Sequence, residues 1–382
     1  MGNDTKVKFS NRPYVPEGAE VMNEYKMLAD MRDAMTNSYI DKNIESQINS
    51  LLKRWTDAPK SVEPIAEMQS ILEGIRRISV GETRVKMMNT VVRTLGQPEA
   101  LATYLDMLQD SAKRAGSKEY EYCKNKLQQV KLHSIYGWCG NTLMVETSSE
   151  PTEGTFPPLP GLAEKLGNSS SAWNLTVHIW QPNLTAKGFS INTSLPNGTI
   201  LEPPHTHPFD FSSMVVKGTL HQSIYIQNEE NTNQVYKEDY ESHYRNIPLE
   251  HVDGVWPPHE FKDTQNITTK EHRVRLNQGD SYYMPCDWIH DVEIDGHIAS
   301  TKPTITLFLS SEYLVMPHVY MSQQMADYHH ENPDIKKNGQ PISEKAWHEK
   351  LSAISSYLKG ESENLDLNKI VDFKGEYAFF HR

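Results

Sequence analysis

Apolar residues recur at helical spacing from about residue 19 to 133. Val21, Tyr25, Leu28 and Met35 share one face, and so do Ile44, Ile48, Leu51 and Trp55. Ile65, Met68, Leu72 and Ile75 repeat the stripe, followed by Val85, Met88, Val92 and Leu95. Leu101, Leu105, Leu108 and Ala112 make a fifth set, and Tyr120, Cys123, Leu127 and Val130 a sixth. Residues spaced i, i+3, i+4, i+7 lie along one side of a helix, so each set predicts an amphipathic helix with a buried face. Ala58-Pro59, Gly81, Gly96-Gln97-Pro98 and Gly116 separate them, as helix breakers should. The pattern predicts five or six antiparallel helices in an N-terminal bundle over residues 1–145.

The period is lost in "ETSSEPTEGTFPPLPGLAEKLGNSSSA", a Pro-, Gly- and Ser-rich linker or wrapping loop over 146–172. Beyond it come short β-branched and aromatic runs: "WNLTVHIW", "KGFSINTS", "SSMVVKG", "LHQSIYIQ", "HRVRL", "DSYYMP", "HDVEI" and "TITLFLSSEYLV". Strand-length runs broken by turns predict an all-β sandwich or barrel over 173–325. Its 228–272 stretch is long for a loop, and Tyr236, Tyr240, Tyr244, Trp256 and Phe261 argue for an ordered lid, partly helical or a hairpin. The C-terminal extension, 326–382, carries one more amphipathic helix through Trp347, Leu351, Ile354 and Leu358, with Ser343 near its start and Gly360 at its end. The expected class is α+β and multidomain.

Composition narrows the function. The 382 residues carry a formal net charge of −12, which disfavours nucleic acid and anionic membranes as partners. The three cysteines, Cys123, Cys139 and Cys286, lack CxxC spacing, which argues against a disulfide framework and for a reducing, cytoplasmic setting. No run reaches the ~20 apolar residues of a membrane span. The N-terminal stretch has no apolar signal core, and Lys6 stands where a myristoylation motif wants Ser or Thr.

Histidine is distributed unevenly. Of 16, only His133 precedes residue 170, so metal chemistry belongs to the β half. In "PPHTHPFDF" two histidines stand at i and i+2, the spacing that puts two imidazoles on one face of a strand. Pro203 and Pro204 are expected to end the preceding turn. In "GDSYYMPCDWIHDVEI", Gly279 allows a tight turn, Pro285 opens another, and His290 starts the next strand.

On these residues the chain resembles the cupin superfamily, small β-barrels that bind one metal. Gly198, His205, His207 and Gly218 follow its first motif with one extra residue between the first Gly and His, and Gly279, Pro285 and His290 follow its second in spacing. The resemblance covers about 170–316. It implies an all-β cupin barrel with His205, His207 and His290 as metal ligands. The motif's Glu position falls on Phe211 or Ser212, its second Gly on Asp287 and its terminal Asn on Ile294, so a three-His site is expected, as in cupins resembling the thiol and gentisate-type dioxygenases. That resemblance implies Fe(II), while imidazole ligands also admit Zn, Ni or Mn.

Asp210 is either an acceptor fixing the tautomer of a ligand histidine or a turn residue. His221 and Tyr225 share a strand face with Ser223 and would orient substrate or O2 if that face is inward. Of Tyr282 and Tyr283, one should line the cavity; Tyr283 is the candidate, beside His221, Tyr225 and Asp210, for a catalytic role. Cys286 reads as a buried small residue or a further ligand. Arg273 and Arg275 could clamp a substrate carboxylate or keep an edge strand soluble. His243, His251 and His259 read as surface residues. The functional expectation is a mononuclear non-haem Fe(II) oxygenase acting with O2 on a small amino acid, thiol or carboxylate. The alternatives are a non-redox metal-dependent isomerase, lyase or hydrolase, and a ligand sensor. The bundle could make a homodimer, cover the barrel mouth or bind a partner.

Overall fold

The structure is a computed structural model. It describes residues 40–78, 81–114, 116–117, 141–148, 172–181, 199–227, 240–244, 260–265, 267–286, 288–314, 318–322 and 344–370. Four of the expected helices form: α1 (Lys42–Asp57), α2 (Pro64–Arg76), α3 (Glu82–Leu95) and α4 (Pro98–Ala112). The stripes at 21–35 and 120–130 lie outside the described residues, as does the run at 187–194. The breakers act as the spacing suggests. Asp41 caps α1 by accepting from the amides of Asn43 and Ile44, at 3.0 Å each, and Pro64 and Pro98 open α2 and α4, where no amide donor is needed.

The β half is mixed with these helices into one antiparallel assembly. Its strands are β1 (Asn141–Glu146), β2 (Asn174–Trp180), β3 (Thr199–His205), β4 (Phe209–Lys217), β5 (Thr219–Gln227), β6 (Tyr240–Tyr244), β7 (Glu260–Gln265), β8 (Ile267–Asn277), β9 (Ser281–Met284), β10 (Ile289–Asp295), β11 (Thr304–Tyr313) and β12 (His318–Ser322). They make a five-stranded sheet, β1-β2-β11-β4-β9, and a seven-stranded sheet, β7-β6-β12-β3-β10-β5-β8. The 228–272 stretch contributes the paired strands β6 and β7 and the start of β8; β6 extends the larger sheet beside β12. A short helix, α5 (Gly296–Ala299), follows β10, and α6 (Glu344–Leu358) is followed by a 3-10 turn at Leu367–Lys369.

Alternation along the strands of the smaller sheet produces two buried faces. Leu175, Val177, Ile179, Met214, Val216, Ile305, Leu307 and Leu309 share one apolar cluster with the helices. The opposite face contributes Trp180, Phe211, Val215, Tyr282, Met284 and Phe308 to a second cluster, completed from the larger sheet by Leu220, Ile224, Leu276, Val292 and Ile294. The layers are thus helices, five-stranded sheet, seven-stranded sheet. Helix α6 packs on α4, where Ser352 bonds Gln109 at 2.7 Å and Lys359 pairs with Asp106. The helical layer is pinned to the sheet by a buried Arg84–Glu312 ion pair, whose carboxylate also accepts from the Trp173 indole at 2.6 Å.

Two glycines permit close approaches. A Cβ on Gly96, between α3 and α4, would stand 2.8 Å from the Met214 sulfur. Gly218 is the corner where the chain leaves β4 in one sheet for β5 in the other. Its φ is +88°, and a Cβ there would stand 2.7 Å from the Thr304 hydroxyl.

Candidate metal centre

Two crossings between the sheets meet at the histidines. β3 ends at His205, the link 206–208 carries His207 to β4, and the link from β9 delivers His290 to β10. In β10 and β3, His290 lies opposite His205. The expectation that both motif histidines occupy one strand is corrected. His207 lies beyond the strand end, where the following Pro208 has no amide to continue a ladder. The reading of Pro203 and Pro204 as the end of a turn is also corrected, because both lie within β3. The ladder carries an irregularity there: His290 pairs with His205 but Val292 with Glu202, so β3 holds one extra residue. Bulges tolerate proline, and this one places His205 and Glu202, three apart, on the same face.

The three Nε2 atoms converge. His207 Nε2 stands 3.1 Å from that of His205 and 3.0 Å from that of His290. His205 and His290 are buried and His207 half-buried, and the three offer ligand nitrogens within 4.8 Å of one another. Two such contacts to one imidazole nitrogen cannot both be satisfied as ordinary donor–acceptor bonds, because that nitrogen carries either a proton or a lone pair. One ion about 2.1 Å from each nitrogen, seen at right angles, would set them about 3.0 Å apart and use all three lone pairs. The residues therefore fit a metal ion. Burial, with the neighbouring His205, holds the His290 imidazole well below its ordinary pKa, which keeps it a neutral donor.

Phe211 takes the motif's Glu position on the inner face. Its ring lies 4.7 Å from that of His207 and 5.8 Å from that of His290, and it meets Phe308 at 4.5 Å. Phe209 stacks on His207 at 5.2 Å. Ser212 points the other way and is buried. No carboxylate joins the three-His group among the described residues.

The other candidate residues are not brought to the imidazoles. Asp210 alternates with Phe209 and Phe211 and so faces away from the histidines. It accepts from the Tyr283 hydroxyl at 2.5 Å and the Cys286 amide at 2.9 Å. It ties β4 to the turn that precedes His290, and neither expected role describes it. Tyr283 is corrected with it: Tyr283 belongs to the helix-facing cluster, and Tyr282 turns inward beside Phe211. His221 and Tyr225 lie on the outer face of β5, because Leu220 and Ile224 take the inner one. His221 is opposite Glu293, and the Tyr225 hydroxyl donates to Asp291 at 2.7 Å. Asp291 was missed in the sequence. It also accepts from the Ser223 amide at 2.7 Å, and burial pushes its carboxyl up to about 6 against those two bonds. Cys286 is buried outside the group, and Arg275 is exposed. His251 and His259 lie outside the described residues.

No helix among the described residues is long and apolar enough to cross a membrane. No family model matches the chain, and no curated protein does. Among solved structures it is similar to hydroquinone 1,2-dioxygenase PnpCD in complex with Cd2+ and 4-hydroxybenzonitrile, at 9% identity over 38% of this chain and 61% of that one, with a TM-score of 0.19. It is similar to a structure of the DMSP lyases RdDddP and RnDddQII, at 14% identity over 40% and 44%, with a TM-score of 0.18. The L-ribose isomerase of Acinetobacter sp. DL28 in complex with L-ribose shares 16% identity over 56% of this chain and 80% of that one, with a TM-score of 0.24. The chain thus spans under two thirds of the first two, and likenesses of this size carry no argument about its chemistry.

Proposed function

We propose that this chain is a metal-dependent enzyme of cupin type and that it turns over a small polar substrate with O2 at Fe(II). The carrying observation is the convergence of the His205, His207 and His290 nitrogens beside a wall of Phe209, Phe211 and Phe308. Three neutral imidazoles would leave a divalent ion its full charge and open positions, the chemistry of binding an anionic or oxygen-donor group beside O2. The chain's own residues do the rest. His290 stays deprotonated in its buried seat, so it competes weakly for protons. The phenylalanine rings exclude water from one side of the centre and supply no carboxylate in competition with substrate. The Asp210 bonds to Tyr283 and the Cys286 amide join β4 to the turn that precedes His290.

The test is direct. Protein reconstituted with Fe(II) under nitrogen receives a panel of amino acids, thiols, carboxylates and polyhydroxy compounds, and then O2. Substrate-dependent oxygen uptake is expected. Turnover under nitrogen with Zn(II) or Ni(II), with no uptake at Fe(II), would assign the centre to non-redox chemistry.

A further inference from the structure

The interior next to the histidines holds a polar row that the metal does not use. β5 and β10 stay in one register, with Ile289 opposite Tyr225, His290 opposite Ile224 and Glu293 opposite His221, so Val292 faces Gln222. On its other side Val292 faces Glu202. Glu202, Val292 and Gln222 therefore form a cross-strand row beside that of His205, His290 and Ile224. Two residues of strand separate the rows, about 7 Å. From the opposite sheet Tyr282, paired with Ser213, faces the same interior. The Ser213 side chain bonds its hydroxyl and the Glu202 carboxylate acts on it.

Gln222 makes this row more than packing. It is 1% exposed, and neither its amide nitrogen nor its amide oxygen has a hydrogen-bond partner among the described residues. A buried carboxamide with both ends unpaired costs stability. Its neighbours on that face are Leu220, Ile224, Val274 and Val292, any of which shows that an aliphatic side chain would fit.

We infer that Glu202, Gln222 and Tyr282 form the substrate-anchoring subsite of the three-His centre, and that it takes the hydroxyl groups of a neutral polyhydroxy compound. The proposal rests on the metal-centre reading for the other end of the substrate. The chemistry follows from what the row offers. Gln222 presents a donor and an acceptor, Glu202 an acceptor, and Tyr282 a hydroxyl that stays protonated because burial pushes it up to about 12. A hydroxyl both donates and accepts, so a chain of hydroxyls satisfies both ends of the Gln222 amide and can also reach Glu202 and Tyr282. An ammonium would leave the Gln222 N–H without an acceptor. A carboxylate would leave the Gln222 oxygen without a donor and would meet Glu202 with like charge.

The full-length chain, metal-free and Fe(II)-loaded under nitrogen, is titrated calorimetrically with erythritol, xylitol and xylose, and with β-alanine as the ammonium comparator. At least one polyhydroxy probe should bind saturably and more tightly than β-alanine. Gln222→Leu should weaken it roughly tenfold with metal content unchanged, and Glu202→Gln should weaken it as well. Without probe, Gln222→Leu should raise Tm by about 2–4 °C, because the unpaired amide is gone. No binding of any polyhydroxy probe, tighter binding of β-alanine, or unchanged affinity in Gln222→Leu overturns the inference. So does a lower Tm in that variant, which would mean the amide is needed by the fold. A chain that takes up no metal overturns the metal-centre reading alone, and titration of the metal-free protein still decides the row.

Discussion

Single side chains carry the chemistry, and their environments set what each can do. Replacing His205, His207 or His290 by Ala removes one of three converging nitrogens, so metal content measured by elemental analysis should fall sharply in each. Asp210→Ala should leave metal content largely intact, since Asp210 faces Tyr283 and the Cys286 amide. It should lower stability by about 1–3 kcal/mol, because a buried donor loses its acceptor. Asp291 gives a pH signature. Its carboxyl is raised from 3.8 to about 6 by burial, so between about pH 4 and 6 the folded state holds a proton that the unfolded state has released. Stability then falls as pH rises through that window, by up to about 3 kcal/mol from this group. An amide at 291 keeps an acceptor for Ser223 and has no charge to bury. Asp291→Asn should therefore flatten that slope in urea titrations run across the window, and an unchanged slope would remove Asp291 as its source.

Among the elements, corners and pins matter more than strand interiors. Gly218 turns the chain from one sheet to the other at φ +88° against Thr304. Gly218→Ala combines left-handed strain with a contact of 2.7 Å to a side chain bonded into the same corner. It should cost at least about 1–2 kcal/mol, read as a lower urea midpoint with an unchanged slope. The Arg84–Glu312 pair joins α3 to β11, and Trp173 leans on both through its indole bond and the guanidinium over its ring at 4.7 Å. Arg84→Met leaves Glu312 buried and uncompensated, so a loss of about 3–5 kcal/mol is expected. The double variant Arg84→Met, Glu312→Gln should recover much of it, and a full loss in both would show that packing of the arginine stem matters more than charge.

For the whole molecule, the centre lies where two inter-sheet crossings meet, β3 to β4 and β9 to β10, so an ion there ties both crossings together. Metal that binds only the folded chain should stabilise it by about 2.7 kcal/mol when free metal is a hundredfold above its Kd. Thermal melts with and without chelator read this, and the His290→Ala variant should show no such difference. A metal-induced rise that survives His290→Ala would place the binding elsewhere.

The helix stripes were legible because a 3.6-residue period needs only local residues, and α1 to α4 and α6 bury the faces that their stripes mark. The three histidines were legible as a set because motif spacing encodes turn lengths. What each strand face meets was not. Asp210, His221, Tyr225 and Tyr283 were chosen by chemistry and proximity in sequence, yet alternation sends each away from the imidazoles, and an isolated strand carries no sign of which face becomes interior. The bulge at Pro203–Pro204 is the sharpest case. One extra residue turns Glu202 to the side of His205, and only the pairing of β3 with β10 reveals it. The helical layer tells the same lesson at larger scale: amphipathic stripes predict that a face is buried, but its partner, here the outer side of the five-stranded sheet, is decided by residues more than a hundred positions away, such as Arg84 and Glu312.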